Sequence, residues 1–103
     1  MRRAEILQTA ETCVCGQREQ DYGTPEDNFS SIASLWGAYL GVQLTAEDVA
    51  MLMCLFKIGR IKTGTGTADS FVDLAGYAAC GGEIVTEKKN EREHHFKLGI
   101  RYE

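Results

Sequence analysis

The segment that most constrains the fold of this chain is an apolar run near its centre, Val49-Ala50-Met51-Leu52-Met53-Cys54-Leu55-Phe56. It offers no polar side to solvent, so it predicts a helix that is apolar nearly all round, buried, and central in the fold. Lys57, Arg60 and Lys62 follow at once, and they are the only basic residues between Arg18 and Lys88. A cation at the end of a buried helix needs an anion, which either the protein or a ligand can supply.

Helical spacing and capping signals predict three further helices. The first runs from about Arg3 to Val14. The second starts at Thr24-Pro25-Glu26-Asp27, where threonine can cap and proline fits the first helical position. Thr45-Ala46-Glu47-Asp48 repeats that signal for the central helix. Asp69 or Ser70 is predicted to cap the last helix, which ends at about Glu87.

No segment alternates at period two, so a sheet is not expected. We therefore predict an all-α fold, a compact antiparallel four-helix bundle with a C-terminal extension. The bundle domain comprises residues 1–87 and a basic C-terminal tail comprises residues 88–103.

The last helix is rich in small residues around Gly76, Gly81 and Gly82. They indicate close approach by another helix, a ligand or a second subunit, and a homo-oligomer is expected.

Charge and hydropathy exclude several classes of partner. The whole chain carries a net charge of −4, which is the sum of −6 in residues 1–87 and +2 in residues 88–103. A broad basic surface is needed to neutralise duplex nucleic acid, so no duplex partner is expected. The N-terminal residues lack the apolar run of a signal peptide, and no apolar segment reaches the length of a membrane span. A cytoplasmic protein with no membrane partner is predicted.

The cysteines and histidines do not form a recognisable metal motif. Cys13 and Cys15 have the wrong spacing for a zinc knuckle, and no second pair at standard spacing accompanies them. Cys54 and Cys80 lie in apolar helical patterns and are expected to be small core residues. No metal site is predicted.

Two groups of polar residues are candidates for ligand binding. Lys57 and Arg60 lie three residues apart on one helix, and Asp69, Asp73 and Tyr77 lie near one another on the next. Antiparallel packing would bring these groups together. They could form an ordinary ion-pair network. Alternatively, Arg60 and Lys57 could bind a phosphate, since arginine offers a planar fork and lysine a compact charge.

The second group lies in the polar connection after the first helix. Arg18, Asp21 and Tyr22 are more functional side chains than a turn requires, and Asn28 follows one turn into the next helix. Surface charge is common in loops, so a spacer and the wall of a ligand site are both open interpretations.

These residues also form a recognisable set. The set comprises Arg18-Glu19-Gln20-Asp21-Tyr22-Gly23, Glu26-Asp27-Asn28-Phe29, Ile32, Trp36, Asp48-Val49-Ala50-Met51, Lys57-Ile58-Gly59-Arg60, Asp69 and Asp73-Leu74-Ala75-Gly76-Tyr77-Ala78-Ala79. The chain resembles, from about Arg3 to Glu87, a family of small phage and prophage proteins. That family is loosely similar to MazG-like all-α nucleotide pyrophosphohydrolases. The resemblance implies a nucleotide-sized ligand in the host cytosol.

A MazG-like enzyme would hold Mg²⁺ with several carboxylates inside two helices, and here the chain departs from the pattern. Glu26, Asp27, Glu47 and Asp48 lie at helix starts, which leaves Asp73 in mid-helix with Asp69 one turn earlier. A magnesium-dependent hydrolase needs more carboxylates than these. No cofactor is therefore expected unless the protein is an enzyme, when Mg²⁺ would be needed, and no catalytic residue is assigned.

Three functions follow from these observations. The first is an accessory protein that binds a nucleotide or similar phosphate ligand, for nucleotide metabolism or to sequester a host defence signal. The second is a counter-defence inhibitor that contacts a host defence protein, for which the basic tail is suited. The third is the Mg²⁺-dependent pyrophosphohydrolase.

Overall fold

The computed structural model describes residues 1–64 and 67–97, and for residues 17–18 and 88–97 it describes the backbone alone. Within this part of the chain every regular element is helical. Helices follow one another in the order α1 (Arg3–Val14), α2 (Gln17–Tyr22), α3 (Pro25–Leu40), α4 (Ala46–Thr63) and α5 (Ala68–Lys97). The predicted all-α class is confirmed, and the four predicted helices correspond to α1, α3, α4 and α5.

Three details of the prediction were wrong. The connection after α1 contains the short helix α2. Helix α5 begins at Ala68, so Asp69 and Ser70 lie in its first turn and neither is its cap. Helix α5 also continues to Lys97, ten residues beyond the predicted end at Glu87. The first part of the predicted tail is therefore helical, and residues 98–103 lie outside the described residues.

The two predicted threonine caps are confirmed. The Thr24 hydroxyl accepts a hydrogen bond from the Asp27 amide at 3.2 Å. At the start of α4 the Thr45 hydroxyl accepts from the Asp48 amide at 3.1 Å, and the Asp48 carboxylate accepts from the Thr45 amide at 2.9 Å. This reciprocal pair satisfies two amide groups that the first turn leaves without helical partners. It fixes where α4 begins.

We expect Thr45→Ala to lower the free energy of unfolding by about 1 kcal/mol, because it removes one hydrogen bond of that pair. Thr12→Ala is the matched control. Thr12 lies in the last turn of α1, where its hydroxyl donates to the Gln8 carbonyl, and alanine there favours the helix. Urea denaturation followed by circular dichroism measures both. Equal losses in the two variants would contradict the assigned cap.

Helix α4 packs between α3 and α5, and α1 packs on α5. The largest buried cluster lies among α3, α4 and α5, and it is built mostly from small residues: Phe29, Ala33, Ala46, Val49, Ala50, Cys80 and Ile84. Helices α4 and α5 are antiparallel, since Ala50 lies at Gly81 and Lys57 lies at Asp73. Cys54 and Cys80 are buried, as predicted.

Two glycines of α5 explain its small residues. A Cβ at Gly81 would lie 3.1 Å from the Cβ of Ala50 on α4, and a Cβ at Gly76 would lie 2.9 Å from Cγ1 of Val14 on α1. These glycines therefore permit close packing inside the monomer, the first of the alternatives that the sequence left open. A Cβ at Gly82 would meet nothing within 4 Å.

The prediction that α4 is buried nearly all round was wrong for half of its surface. Val49 and Ala50 are fully buried, where α4 faces α3 and α5. The other face of the helix is apolar but exposed, and its large residues are Met51, Leu52, Leu55, Phe56 and Ile58.

Candidate functional site

The predicted juxtaposition of α4 cations and α5 acids is confirmed for one pair. Lys57 Nζ lies 2.9 Å from Asp73 Oδ2, with the lysine side chain 17 % exposed and the aspartate side chain 41 % exposed. An ion pair that is still partly exposed contributes at most about 1 kcal/mol to stability. The pair therefore adds little to the stability of the fold.

Arg60 and Asp69 do not join this pair. Both are exposed, and in the part of the chain that the structure describes no ion pair links them. Instead, the Arg60 guanidinium carbon lies 4.9 Å from the centre of the Phe56 ring. Lys57 Nζ lies 5.5 Å from the same ring. The ring thus holds both cations at the same end of α4.

Asp73 also lines a groove between α1 and α5, which we call the α1–α5 groove. It has a volume of about 270 Å³. Its walls are Cys13, Val14, Val72, Asp73, Gly76 and Tyr77. The groove is mostly apolar. Its polar side-chain groups are the Asp73 carboxylate, the Tyr77 hydroxyl and the Cys13 thiol. Gly76 contributes only backbone atoms to the groove, and Val14 occupies the space where a Cβ would lie.

A second, smaller hollow lies beneath α2, and we call it the α2 cavity. Its volume is about 30 Å³, room for about two water molecules. It is lined by Val14, Glu19, Tyr22, Gly23, Pro25, Asn28, Phe29, Tyr77 and Cys80. Tyr77 and Val14 belong to both hollows, so the α2 cavity and the α1–α5 groove share a wall.

Tyr77 is held in that shared wall by the core. Its ring centre lies 6.2 Å from that of the buried Phe29, with the two rings tilted by 37°. This separation is within the range of favourable aromatic pairs. The contact with Phe29 on α3 therefore fixes the position of the Tyr77 ring in the wall of both hollows.

The structure brings together some predicted ligand-binding residues and separates others. Tyr22 and Asn28 line the α2 cavity, Asp73 lines the α1–α5 groove, and Tyr77 lines both. Lys57 adjoins the groove through Asp73. Asp21 is exposed on α2. The side chain of Arg18 lies outside the described residues.

Other lining residues were missed by the sequence reasoning. Glu19 lies in the same polar connection as Arg18 and Asp21, so the reasoning that selected those two residues could also have selected Glu19. Cys13 and Val14 carried no such signal, because they belong to the apolar stripe of α1. Their part in the groove depends on how α1 packs against α5.

The four cysteines differ in environment. Cys13 and Cys15 are exposed. Burial raises the pKa of the Cys54 thiol above its ordinary value, and its sulfur lies 4.0 Å from the Leu74 carbonyl oxygen. Cys54 is therefore protonated at neutral pH and has the character of a core residue.

The Mg²⁺ that a MazG-like enzyme would use does not fit the acids described here. In residues 1–64 and 67–97 no three His, Cys, Asp or Glu side chains lie close enough together to hold a metal ion. Asp73 instead engages Lys57.

Two further predictions concern the basic tail as an inhibitory segment and the absence of a membrane partner. The side chains of residues 88–97 and all of residues 98–103 lie outside the described part, so the tail as an inhibitory segment stays a prediction. None of the helices in the described part is sufficiently long and apolar to span a membrane.

Comparison with known proteins places the chain in a family. A model of a domain of unknown function, DUF6378, matches residues 5–85, which cover α1 from Glu5 onward, all of α2, α3 and α4, and α5 as far as Val85. The chain belongs to the DUF6378 family. The match contains both hollows and the Lys57–Asp73 pair. No solved structure matches the chain.

Two phage proteins are similar to this DUF6378 member. The Gene 55 protein of Mycobacterium phage L5 is 53% identical over 74 residues, covering 71% of this chain and 47% of the relative. The Gene 55 protein of Mycobacterium phage D29 is 47% identical over 83 residues, covering 80% of this chain and 54% of the relative. The chain thus spans about half the length of these relatives. The predicted resemblance to a phage protein family is confirmed.

Proposed function

We propose that this DUF6378 protein binds a nucleotide or a similar small phosphate ligand at the α1–α5 groove. The observation that carries the proposal is the position of Tyr77. Its ring is a wall of both hollows, and it stands on the same helix face as Asp73. An aromatic ring, an acid and a lysine thus meet at one opening.

Each of these groups suits part of a nucleotide. Aromatic rings stack on nucleobases with little dependence on which base it is. A carboxylate such as that of Asp73, which lines the groove, can hydrogen-bond to the edge of a base. Lys57 offers a compact positive charge to a phosphate. Its ammonium has three N–H donors, so Asp73 can hold one of them and keep the others directed to the ligand.

The dimensions of the groove limit the ligand. Its volume of about 270 Å³ is close to the lower end of ligand pockets, roughly 300 Å³. A mononucleotide with its phosphate outside, near Lys57 and Arg60, fits this size better than a dinucleotide does. In the host cytosol such binding would serve nucleotide metabolism or would sequester a signalling nucleotide of host defence.

A thermal-shift panel of nucleoside mono-, di- and triphosphates, cyclic nucleotides and inorganic phosphate tests this proposal. At about a hundred times Kd, one ligand should stabilise the fold by about 2.7 kcal/mol and raise Tm by roughly ten degrees. Lys57→Gln and Asp73→Asn should each reduce that shift by more than half. Isothermal titration then gives Kd for the ligand that responds.

Asp27→Asn is the matched control for Asp73→Asn. Asp27 is exposed in the first turn of α3 and lines neither hollow, so the shift should be retained. An unchanged Tm across the whole panel would overturn the proposal. So would equal responses of the Asp27 and Asp73 variants. If the protein releases pyrophosphate from a nucleotide, and this release requires Mg²⁺ and Asp73, its function is hydrolysis and not binding alone.

A further inference from the structure

A regular stripe runs along the exposed face of α4. Asp48, Met51, Leu55, Ile58 and Lys62 are spaced alternately by three and four residues. This spacing brings them into one line on a helix, as at the contact positions of helical bundles. The three apolar members are 55, 59 and 47 % exposed, respectively. The α4 stripe, as we call this set, therefore begins with an acid, is apolar in the middle and ends with a lysine.

The stripe lies opposite the helices that already cover α4. Ala50 and Lys57 contact α5, and at 100° per residue they lie on the other side of α4 from Leu55. Leu52 and Phe56 on the same helix extend the apolar surface and are 39 and 49 % exposed. Gly59 adjoins the stripe, and a Cβ there would meet nothing within 4 Å.

The area of this face is large for a monomer. Five large side chains of α4, each about half exposed, present on the order of 500 Å² of apolar surface. This is close to the upper limit for the largest patch of a typical monomer, about 600 Å². It is also more than half of the roughly 800 Å² that each partner buries in a standard protein interface. A polar rim would supply the remainder.

We infer that the α4 stripe binds a second copy of this chain, with the two α4 helices antiparallel about a two-fold axis near Leu55. Under that symmetry each residue meets the residue equally far on the other side of the axis. Asp48 of one copy then lies near Lys62 of the other, because each is seven residues from Leu55. The apolar residues between them bury one another.

The charge pattern distinguishes a second copy from another partner. The acid and the lysine lie on opposite sides of the apolar centre, so the stripe is complementary to itself only when reversed. Asp48 already accepts a hydrogen bond from the Thr45 amide through Oδ2, and its other carboxylate oxygen is available for Lys62. The inference does not depend on the proposed ligand.

Sedimentation equilibrium of the full chain is the first measurement. We expect twice the monomer mass of 11.4 kDa at micromolar concentrations. Leu55→Asp brings two carboxylates together at the axis and should raise the dimer Kd by at least about a hundredfold. Leu35→Asp changes an exposed leucine of α3, 71 % exposed, and should leave Kd unchanged. Circular dichroism confirms that each variant is folded.

A charge exchange tests the antiparallel arrangement. Lys62→Glu and Asp48→Lys should each weaken the dimer about tenfold, and the double variant should recover most of the loss. The Kd of the double variant is compared with that of Asp48→Lys, because both of these variants lack the Asp48 carboxylate that caps α4. A monomeric wild-type chain at 200 µM would overturn the inference, as would a double variant weaker than both single variants.

Discussion

Ile84→Ala should lower the free energy of unfolding by about 2–5 kcal/mol. Ile84 is only 1 % exposed, and with Val49 it is one of the two largest fully buried side chains among the described residues. Around it the core contains Ala33, Ala46 and Ala50. Alanines have no side-chain torsion by which to move into the space left by the deleted carbons, so the cavity should persist.

The loss is large relative to the stability of a domain of this size, which is about 5–15 kcal/mol. Denaturation in guanidinium chloride, monitored by circular dichroism, measures it. Leu7→Ala is the control, because Leu7 lies on α1 with 64 % of its surface exposed, and its change should be below about 0.5 kcal/mol. Equal effects at Ile84 and Leu7 would show that Ile84 is not in the core.

Local signals in the sequence predicted the helix starts well. Thr24 and Thr45 are followed by acids in the first turn, and such caps depend on residues only three positions apart. Helix α2 was missed because Gln17–Tyr22 contains five polar residues and no apolar stripe. The end of α5 was missed for a related reason, since the residues after Glu87 are mostly polar.

Burial was less predictable than helix position. The run Val49–Phe56 is apolar on every side, which correctly indicated a helix with neighbours. Composition could not tell whether those neighbours belong to the same chain. In the structure α3 and α5 cover only half of α4, and Leu55 is 59 % exposed.

The candidate site combines local and non-local information. The Lys57–Asp73 pair could be predicted, because two antiparallel helices joined by a short turn place these residues side by side. Arg60 was grouped with Lys57 by its spacing. Three residues turn a helix by about 300°, however, so the two side chains point about 60° apart. The exposed Arg60 lies over the Phe56 ring instead of joining the pair.

Gly81→Ala should destabilise the protein by about 1–3 kcal/mol, although alanine is the better helix former. The new Cβ would lie 3.1 Å from the Cβ of Ala50, and both residues are buried where α4 and α5 approach most closely. Neither methyl group can rotate away, so one helix must move. Movement of α5 would also disturb the packing around Ile84.

The adjacent glycine provides a control with the opposite sign. Gly82 is exposed, lies in the same helix, and has open space at its Cβ position. Gly82→Ala should therefore raise the free energy of unfolding by up to about 1 kcal/mol through helix propensity alone. Both variants should be compared by urea denaturation at a protein concentration where their masses in solution agree. Two losses of equal size would show that the close approach is not specific to Gly81.

A second substitution distinguishes the clash from a general defect in α5. Ala50→Gly removes the methyl group that the new Cβ would meet, while it weakens α4 by about 1 kcal/mol. If the clash causes the loss at Gly81, the double variant should be more stable than the sum of the two single effects predicts, by about 1 kcal/mol or more. Additive losses would mean that the two helices are farther apart at this point. The glycine would then act through the backbone of α5 alone.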